Sequence, residues 1–288
     1  MASDDDHNIY GYNPSIPAAA IFIVLFGAST GYHIYQIVRA KALYFIPFVI
    51  GGIFQVLGYL FRILSNNDTG SIPKYALQTV LILLGPALYA ASIYMVLGRL
   101  IVHLDAQEHS LVRVKWMTKI FVTGDVISFL MQCGGGGLMS GDNPDSRKTG
   151  ETITIIGLVV QVIFFGFFLI TAIIFHIRIN KAPTARSNEV KTHWRGNVMA
   201  RNWVTLLYAL YVVSILILIR SVFRLVEFID GYGGYLMTHE VFLYVFDAVL
   251  MAIVMGILNF WHPCYVILSG KGYQPRGDFE SADAVPLR

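Results

Sequence analysis

Charge is scarce in this 288-residue chain: Asp, Glu, Lys and Arg make up 14% of it, against 56% hydrophobic residues. Soluble domains carry about 25% charged residues, so the deficit excludes an ordinary water-soluble globule, and the basic loop around 178–202 is expected to meet anionic inner-leaflet lipid rather than nucleic acid. Cysteine is nearly absent. Cys133 and Cys264 fall at opposite ends of different apolar runs, which excludes a disulfide framework. The polar–apolar alternation of barrel strands is missing. CGGGG (Cys133–Gly137) lacks the lysine and hydroxyl residue of a phosphate-binding loop, so direct ATP drive is not expected. Asp4, Asp5 and Asp6 stand where a cleavable signal would be basic. The last apolar run, Glu240 to Ile267, contains no lysine and therefore no site for a retinal Schiff base. No two histidines share a helix at ligand spacing, so neither a metal nor a cofactor is expected, and no enzymatic constellation is present.

What the chain does have is apolar runs of membrane-spanning length. Seven candidate spans lie at 15–38, 44–64, 75–102, 114–133, 152–177, 203–228 and 238–267. Each is long enough to cross about 30 Å of hydrocarbon at 1.5 Å per residue. The expected fold class is all-α: a polytopic seven-helix transmembrane bundle over 15–267, with short tails at 1–14 and 268–288. Lys and Arg crowd one side. Arg39 and Lys41, then Arg99, Arg113, Lys115 and Lys119, then Arg178, Lys181, Arg186, Lys191, Arg195 and Arg201, and finally Lys271, Arg276 and Arg288 all fall there. Only Lys74, Arg147 and Lys148 fall opposite. The positive-inside rule then places the N-terminus outside and the C-terminus in the cytosol, in the plasma membrane or the secretory membranes. Asn67 opens an N-D-T sequon on the outer side. The segment Cys133–Glu151 reads as the longest outer loop, flexible at its four glycines, a connector or a lid.

Polar residues recur inside these runs at i, i+4, i+7, which places each set on one helix face. The sets are Gln55, Tyr59 and Arg62; Asp125, Phe129 and Gln132; Arg220, Arg224 and Glu227; and Glu240, Tyr244 and Asp247. Gln78, Gly85 and Tyr89 share a face of span three beside Pro86, which can bend or open that helix, and Gln161 lies mid-span in span five. Counted from Trp203, Arg220 is about 26 Å along its helix. The stripes therefore run from mid-membrane to the outer surface, while the inner half reads as almost uniformly apolar. A charge at the bilayer centre costs about 2.5–3.5 kcal/mol on insertion scales, so such charges face protein or water. The simplest arrangement gathers Arg62, Arg220 and Arg224 opposite Asp125, Glu227, Glu240 and Asp247 around one outward-facing polar chamber. Arg224 and Glu227 can also pair along their own helix. The alternatives are arginines that snorkel to lipid phosphates and carboxylates held in structural pairs.

Taken together, GYLFR (58–62), GPALYAASIYMVLGR (85–99), GDVISFLMQCGGGG (124–137), GLVVQ (157–161), RSVFRLVE (220–227), EVFLYVFD (240–247) and NFWHP (259–263) resemble the signatures of the fungal RTA-like family, also called the lipid-translocating exporter family. The resemblance runs through all seven spans. It implies seven helices with the N-terminus outside, efflux or transbilayer movement of sphingoid long-chain bases, resistance to toxic amphiphiles and, in one branch, porphyrin handling. Arg62, Asp125, Gln132, Gln161, Arg220, Arg224, Glu227, Glu240 and Asp247 match the family's polar positions; Gln55 stands where a glutamate is common. The implied function is binding and movement of an amphiphilic lipid whose polar head meets Gln55, Tyr59, Arg62, Tyr89, Asp125, Gln132, Gln161, Arg220, Arg224, Glu227, Glu240, Tyr244 and Asp247. The partners are then the bilayer and its lipids, with the oligomeric state open. Two rivals remain. One is a seven-helix lipid-sensing receptor. The other is a porphyrin- or haem-binding protein, in which His33, His176 and His262 would converge near the inner helix ends.

Overall fold

A computed structural model of the protein describes residues 15–66, 72–139, 143–192, 202–231 and 234–267, and all regular structure among them is helical. The sequon at Asn67, both tails and the basic residues Arg195, Arg201, Lys271, Arg276 and Arg288 lie outside the described residues.

The long helices are α1 (Ile16–Ala40), α2 (Ile46–Ser65), α3 (Ile72–His103), α4 (Val114–Met139), α5 (Pro144–Lys181) and α7 (Trp203–Asp230), with a short α6 (Ala185–Thr192) between the last two. The final run is broken into α8 (Tyr235–Thr238), α9 (Glu240–Leu243), a π turn (Tyr244–Val249), α10 (Leu250–Phe260) and α11 (Cys264–Ile267). Helix starts follow local chemistry. A proline occupies one of the first two positions of α1, α2 and α5, where its missing N–H costs nothing. Asn202 caps α7 in a reciprocal box with Thr205, which orients the helix as it enters the bundle.

Six segments are long and apolar enough to span a membrane: Ile16–Ala40, Leu43–Ser65, Pro73–His103, Pro144–Lys181, Trp203–Asp230 and Glu240–Ile267. The segment expected as the fourth span forms the helix α4, but it is not among these six, because Lys115, Lys119, Asp125 and its glycines make it less apolar. At 26 residues it is about 39 Å long. Its burial is shared with α3 and α5, which pack on it. The helices close a ring in which α1 meets both α2 and α10, while α3 runs through the middle against α2, α4 and α7. Ile21, Val24, Val38, Ile163, Leu130 and Val241 are among the large apolar side chains left exposed. Such a surface suits lipid.

The expected flexible loop at Cys133–Glu151 is corrected by the structure. Gly134 to Gly137 continue α4, and α5 begins at Pro144, so only a few residues connect them. The reason is close helix packing. A Cβ on Gly150 would lie 2.5 Å from the Gly135 carbonyl oxygen, and one on Gly157 would lie 2.9 Å from the Ser128 carbonyl oxygen. Small residues let two membrane helices bring their backbones together. Gly135, Gly150 and Gly157 form an interface here, and no lid is present among the described residues.

Candidate functional site

Three helical segments deliver charge to the interior. α2 brings Arg62, α7 brings Arg220, Arg224 and Glu227, and the α9–π-turn segment brings Glu240, Tyr244 and Asp247. Arg62, Arg220 and Arg224 are 1%, 2% and 8% exposed, so they do not snorkel to the lipid surface. They are neutralised by carboxylates from other positions. Asp247 accepts from Arg220 Nε at 2.6 Å and Nη2 at 3.2 Å, and its Oδ2 also accepts from Arg224 Nη2. Arg224 Nη1 donates to Glu227 Oε2 at 2.9 Å, the in-helix pair the spacing predicts. Arg62 Nη2 meets Glu240 Oε1 at 2.7 Å, and its Nε donates to the Tyr244 hydroxyl at 3.3 Å. Three guanidinium groups thus face three carboxylates, which holds the net charge of the network at zero.

Two local features bring Asp247 and Glu240 into place. The π turn at Tyr244–Val249 inserts the extra backbone residue that rotates Asp247 toward both arginines. Such turns often mark functional positions. Glu240 opens α9 and receives the Ser15 backbone N–H on both oxygens, at 2.9 and 3.0 Å, which ties the start of α1 to α2 and α9.

Pro86 contributes in a way its position explains. A proline cannot donate to the carbonyl four residues back, so within α3 the Ile82 oxygen loses its in-helix partner. That oxygen instead accepts from Arg220 Nη2 at 3.3 Å and Gln55 Nε2 at 3.5 Å. The helix stays continuous, and the proline supplies an acceptor to the ionic cluster.

Aromatic side chains line this network. Phe22 stacks on Tyr244 at 5.4 Å and on Tyr59 at 5.8 Å, and Tyr59 lies 6.0 Å from Tyr244. Tyr59 is fully buried, and its hydroxyl makes no hydrogen bond. Tyr89 is fully buried, its ring 4.5 Å from that of Phe48 and its hydroxyl donating to Met255 Sδ at 3.0 Å.

The single chamber expected from the sequence is not what forms. Asp125 takes no arginine; its Oδ2 accepts the Tyr94 hydroxyl at 2.9 Å. Gln132 pairs with Gln161 at 3.0 Å between α4 and α5. These three residues form a separate group because α4 packs on α3 and α5, whereas the arginines belong to α2 and α7.

The inner half is not uniformly apolar either. Ser29, Thr30, His33 and Gln36 of α1 face Met255 and Asn259 of α10. Gln36 Nε2 donates to the Asn259 carbonyl at 2.8 Å, Asn259 Nδ2 lies 2.6 Å from Ser29 Oγ, and His33 Nε2 lies 3.3 Å from the Met255 carbonyl. Thr30 Oγ1, His33 Nδ1, Gln36 Oε1 and Asn259 Oδ1 are buried without hydrogen-bond partners. The signal was available, because Ser29, His33 and Gln36 have the same i, i+4, i+7 spacing used for the outer stripes. Of the three histidines expected to converge, His33 and His262 do, with ring centroids 5.6 Å apart. His176 instead stacks on Tyr211 at 5.7 Å. Among the described residues no group of three or more His, Cys, Asp and Glu is arranged to hold a metal ion.

The comparisons with known proteins follow the same motifs. Residues 48–270 match the family model described as RTA1 like protein. The chain is 37% identical to Protoporphyrin uptake protein 1 of Saccharomyces cerevisiae, over 88% of this chain and 91% of that protein. It is 36% identical to Protein RTA1 of the same yeast, over 88% and 84% of the two chains. It is 28% identical to Sphingoid long-chain base transporter RSB1, also of that yeast, over 91% and 75%. No solved structure matches. A helical bundle with several membrane-length segments, whose signature residues coincide with its buried ionic network, is thus a multi-pass membrane protein belonging to the RTA1-like family.

Proposed function

We propose that the protein binds an amphiphilic lipid and moves it between leaflets or out of the membrane, giving resistance to toxic amphiphiles. It acts as a seven-span, non-enzymatic carrier at the plasma membrane or in secretory membranes, with the N-terminus outside. The observation that carries this reading is the neutral set of Arg62, Arg220, Arg224, Glu227, Glu240 and Asp247, gathered between α2, α7 and the α9–π-turn segment. Buried ion pairs stabilise poorly relative to apolar packing. A bundle that needed only stability gains little from four of them, whereas a carrier gains groups that exchange partners with a polar head. An anionic or zwitterionic head competes for the arginines, an amine for Asp247 and Glu240, and the tails lie along apolar helix faces.

The test is purified protein in liposomes, with flux of labelled long-chain bases and lysolipids as the readout. Arg224→Ala is expected to lower the initial rate at least ~10-fold, the equivalent of about 1.4 kcal/mol. Full activity in that variant, with normal folding, removes the site assignment. Pro86→Ala restores the in-helix bond to the Ile82 carbonyl, which then competes with Arg220 and Gln55 for that oxygen. It is expected to fold well and transport more slowly in the same assay.

A second reading has a specific support. One relative, 37% identical, carries a name that states protoporphyrin uptake. The cargo is then a carboxylate-bearing tetrapyrrole, held by the same arginines. Protoporphyrin fluorescence in the liposome assay separates the two: competition with long-chain bases marks a shared site, and porphyrin flux alone favours the second reading.

A further inference from the structure

Asp125 is 6% exposed, and among the described residues it is the buried carboxylate that no cation balances. Its Oδ2 accepts the Tyr94 hydroxyl, and its Oδ1 is buried with no hydrogen bond. The helices packed on α4 are α3 and α5. From α3 the titratable group is Tyr94. From α5 come Phe165 and Phe168, whose rings lie 6.0 and 4.5 Å from that of Tyr94, while Phe121 of α4 itself lies 5.3 Å away. Farther along, Gln132 and Gln161 are neutral and bonded to each other, and the Ser128 hydroxyl is spent on the Gly124 carbonyl. Arg62, Arg220 and Arg224 are engaged by other carboxylates.

A lone buried carboxylate, whose one partner is a tyrosine packed among phenylalanine rings, cannot hold its charge inside a bundle without large desolvation cost. A proton on Oδ1 removes the charge and leaves the Tyr94 bond intact, because a carboxylic acid still accepts through its other oxygen. We infer that Asp125 is a proton-binding site, separate from the arginine network, which carries one proton in the closed bundle and releases it when α4 shifts so that the carboxylate reaches water. If the carrier reading above holds, this site links lipid movement to the proton gradient. The linkage rests on that reading; the site itself does not.

Infrared difference spectra of the full-length protein in lipid, recorded over a pH series in H2O and D2O, test the site directly. A carboxylic-acid carbonyl band that shifts in D2O and disappears with rising pH in one single-proton transition is expected, and Asp125→Asn should remove it. Tyr94→Phe takes away a donor that favours the ionised form, so the band should persist to higher pH, an effect that loss of packing alone does not produce. An unchanged band in Asp125→Asn, or no band at any pH in the wild type, overturns the proposal. Liposome flux under an imposed pH gradient tests the linkage: several-fold dependence in the wild type and none in Asp125→Asn supports it, and a pH-insensitive wild type sinks it. Arg224→Ala should keep the band whatever it does to flux, so failure of the lipid reading and failure of the proton site give different results.

Discussion

Asp247→Ala is expected to destabilise the protein by about 3–5 kcal/mol, the cost of leaving buried charge unpaired. Asp247 is fully buried and is the carboxylate shared by Arg220 and Arg224. Without it Arg224 keeps Glu227, but Arg220 is left with the neutral Ile82 carbonyl. Thermal unfolding in detergent, followed by size-exclusion fluorescence, should show a large downward shift or loss of the monodisperse peak. The informative partner is the combined variant R220M/R224M/E227Q/D247L, which replaces the Asp247-centred part of the network by apolar or neutral side chains and leaves the Arg62–Glu240 pair in place. Such replacements are often neutral or stabilising by 1–4 kcal/mol. It should fold at least as well as the wild type and carry no lipid in liposomes. Stable folding with wild-type flux would make the cluster a packing device and would remove the carrier mechanism derived from it.

Gly150→Leu is the second large effect, expected to cost about 1–3 kcal/mol by overpacking. The added Cβ meets the Gly135 carbonyl oxygen at 2.5 Å, Met139 Cγ at 2.9 Å and Leu138 Cβ at 3.0 Å. The first of these is backbone, so it can yield only by separating α4 from α5. That separation also strains the Gln132–Gln161 bond between the same helices. Gly136→Ala is the control, since a Cβ there meets nothing within 4 Å. It should be neutral or stabilising by up to about 1 kcal/mol, through helix propensity. Equal losses from both substitutions would mean that the glycines act through something other than close contact.

Much of the site was legible because helix periodicity is local. The spacing of Arg220, Arg224 and Glu227 put them on one face, and the i,i+3 pair between Arg224 and Glu227 forms at 2.9 Å. The length and apolarity of the runs likewise located the helices to within a few residues at most ends. The glycine run was misread because four glycines in isolation suit a flexible loop. Their meaning depends on a partner: Gly150, Thr154 and Gly157 recur at i, i+4, i+7 on α5 and offer a matching small face. Pro86 was read as a possible bend, but its larger consequence, an acceptor freed for Arg220, needed the neighbouring helix. Asp125 was grouped with the arginines on depth alone, and depth does not say which helix stands opposite.

By itself the sequence determined that the chain is helical and lives in a membrane, since hydropathy and 3.6-residue periodicity depend only on neighbours along the chain. It also placed the mid-span carboxylates Asp125 and Asp247 inside the bundle, because they are too short to reach either surface; that the arginines lie inside as well was decided by the structure. Only the tertiary structure decided which charges meet. It set Asp247 between two arginines, gave Glu240 to Arg62 and the α1 backbone, and left Asp125 to Tyr94. Pairing depends on the rotation and depth of each helix against its neighbours, and those are fixed by contacts such as the Gly135–Gly150 approach, between residues far apart on the chain.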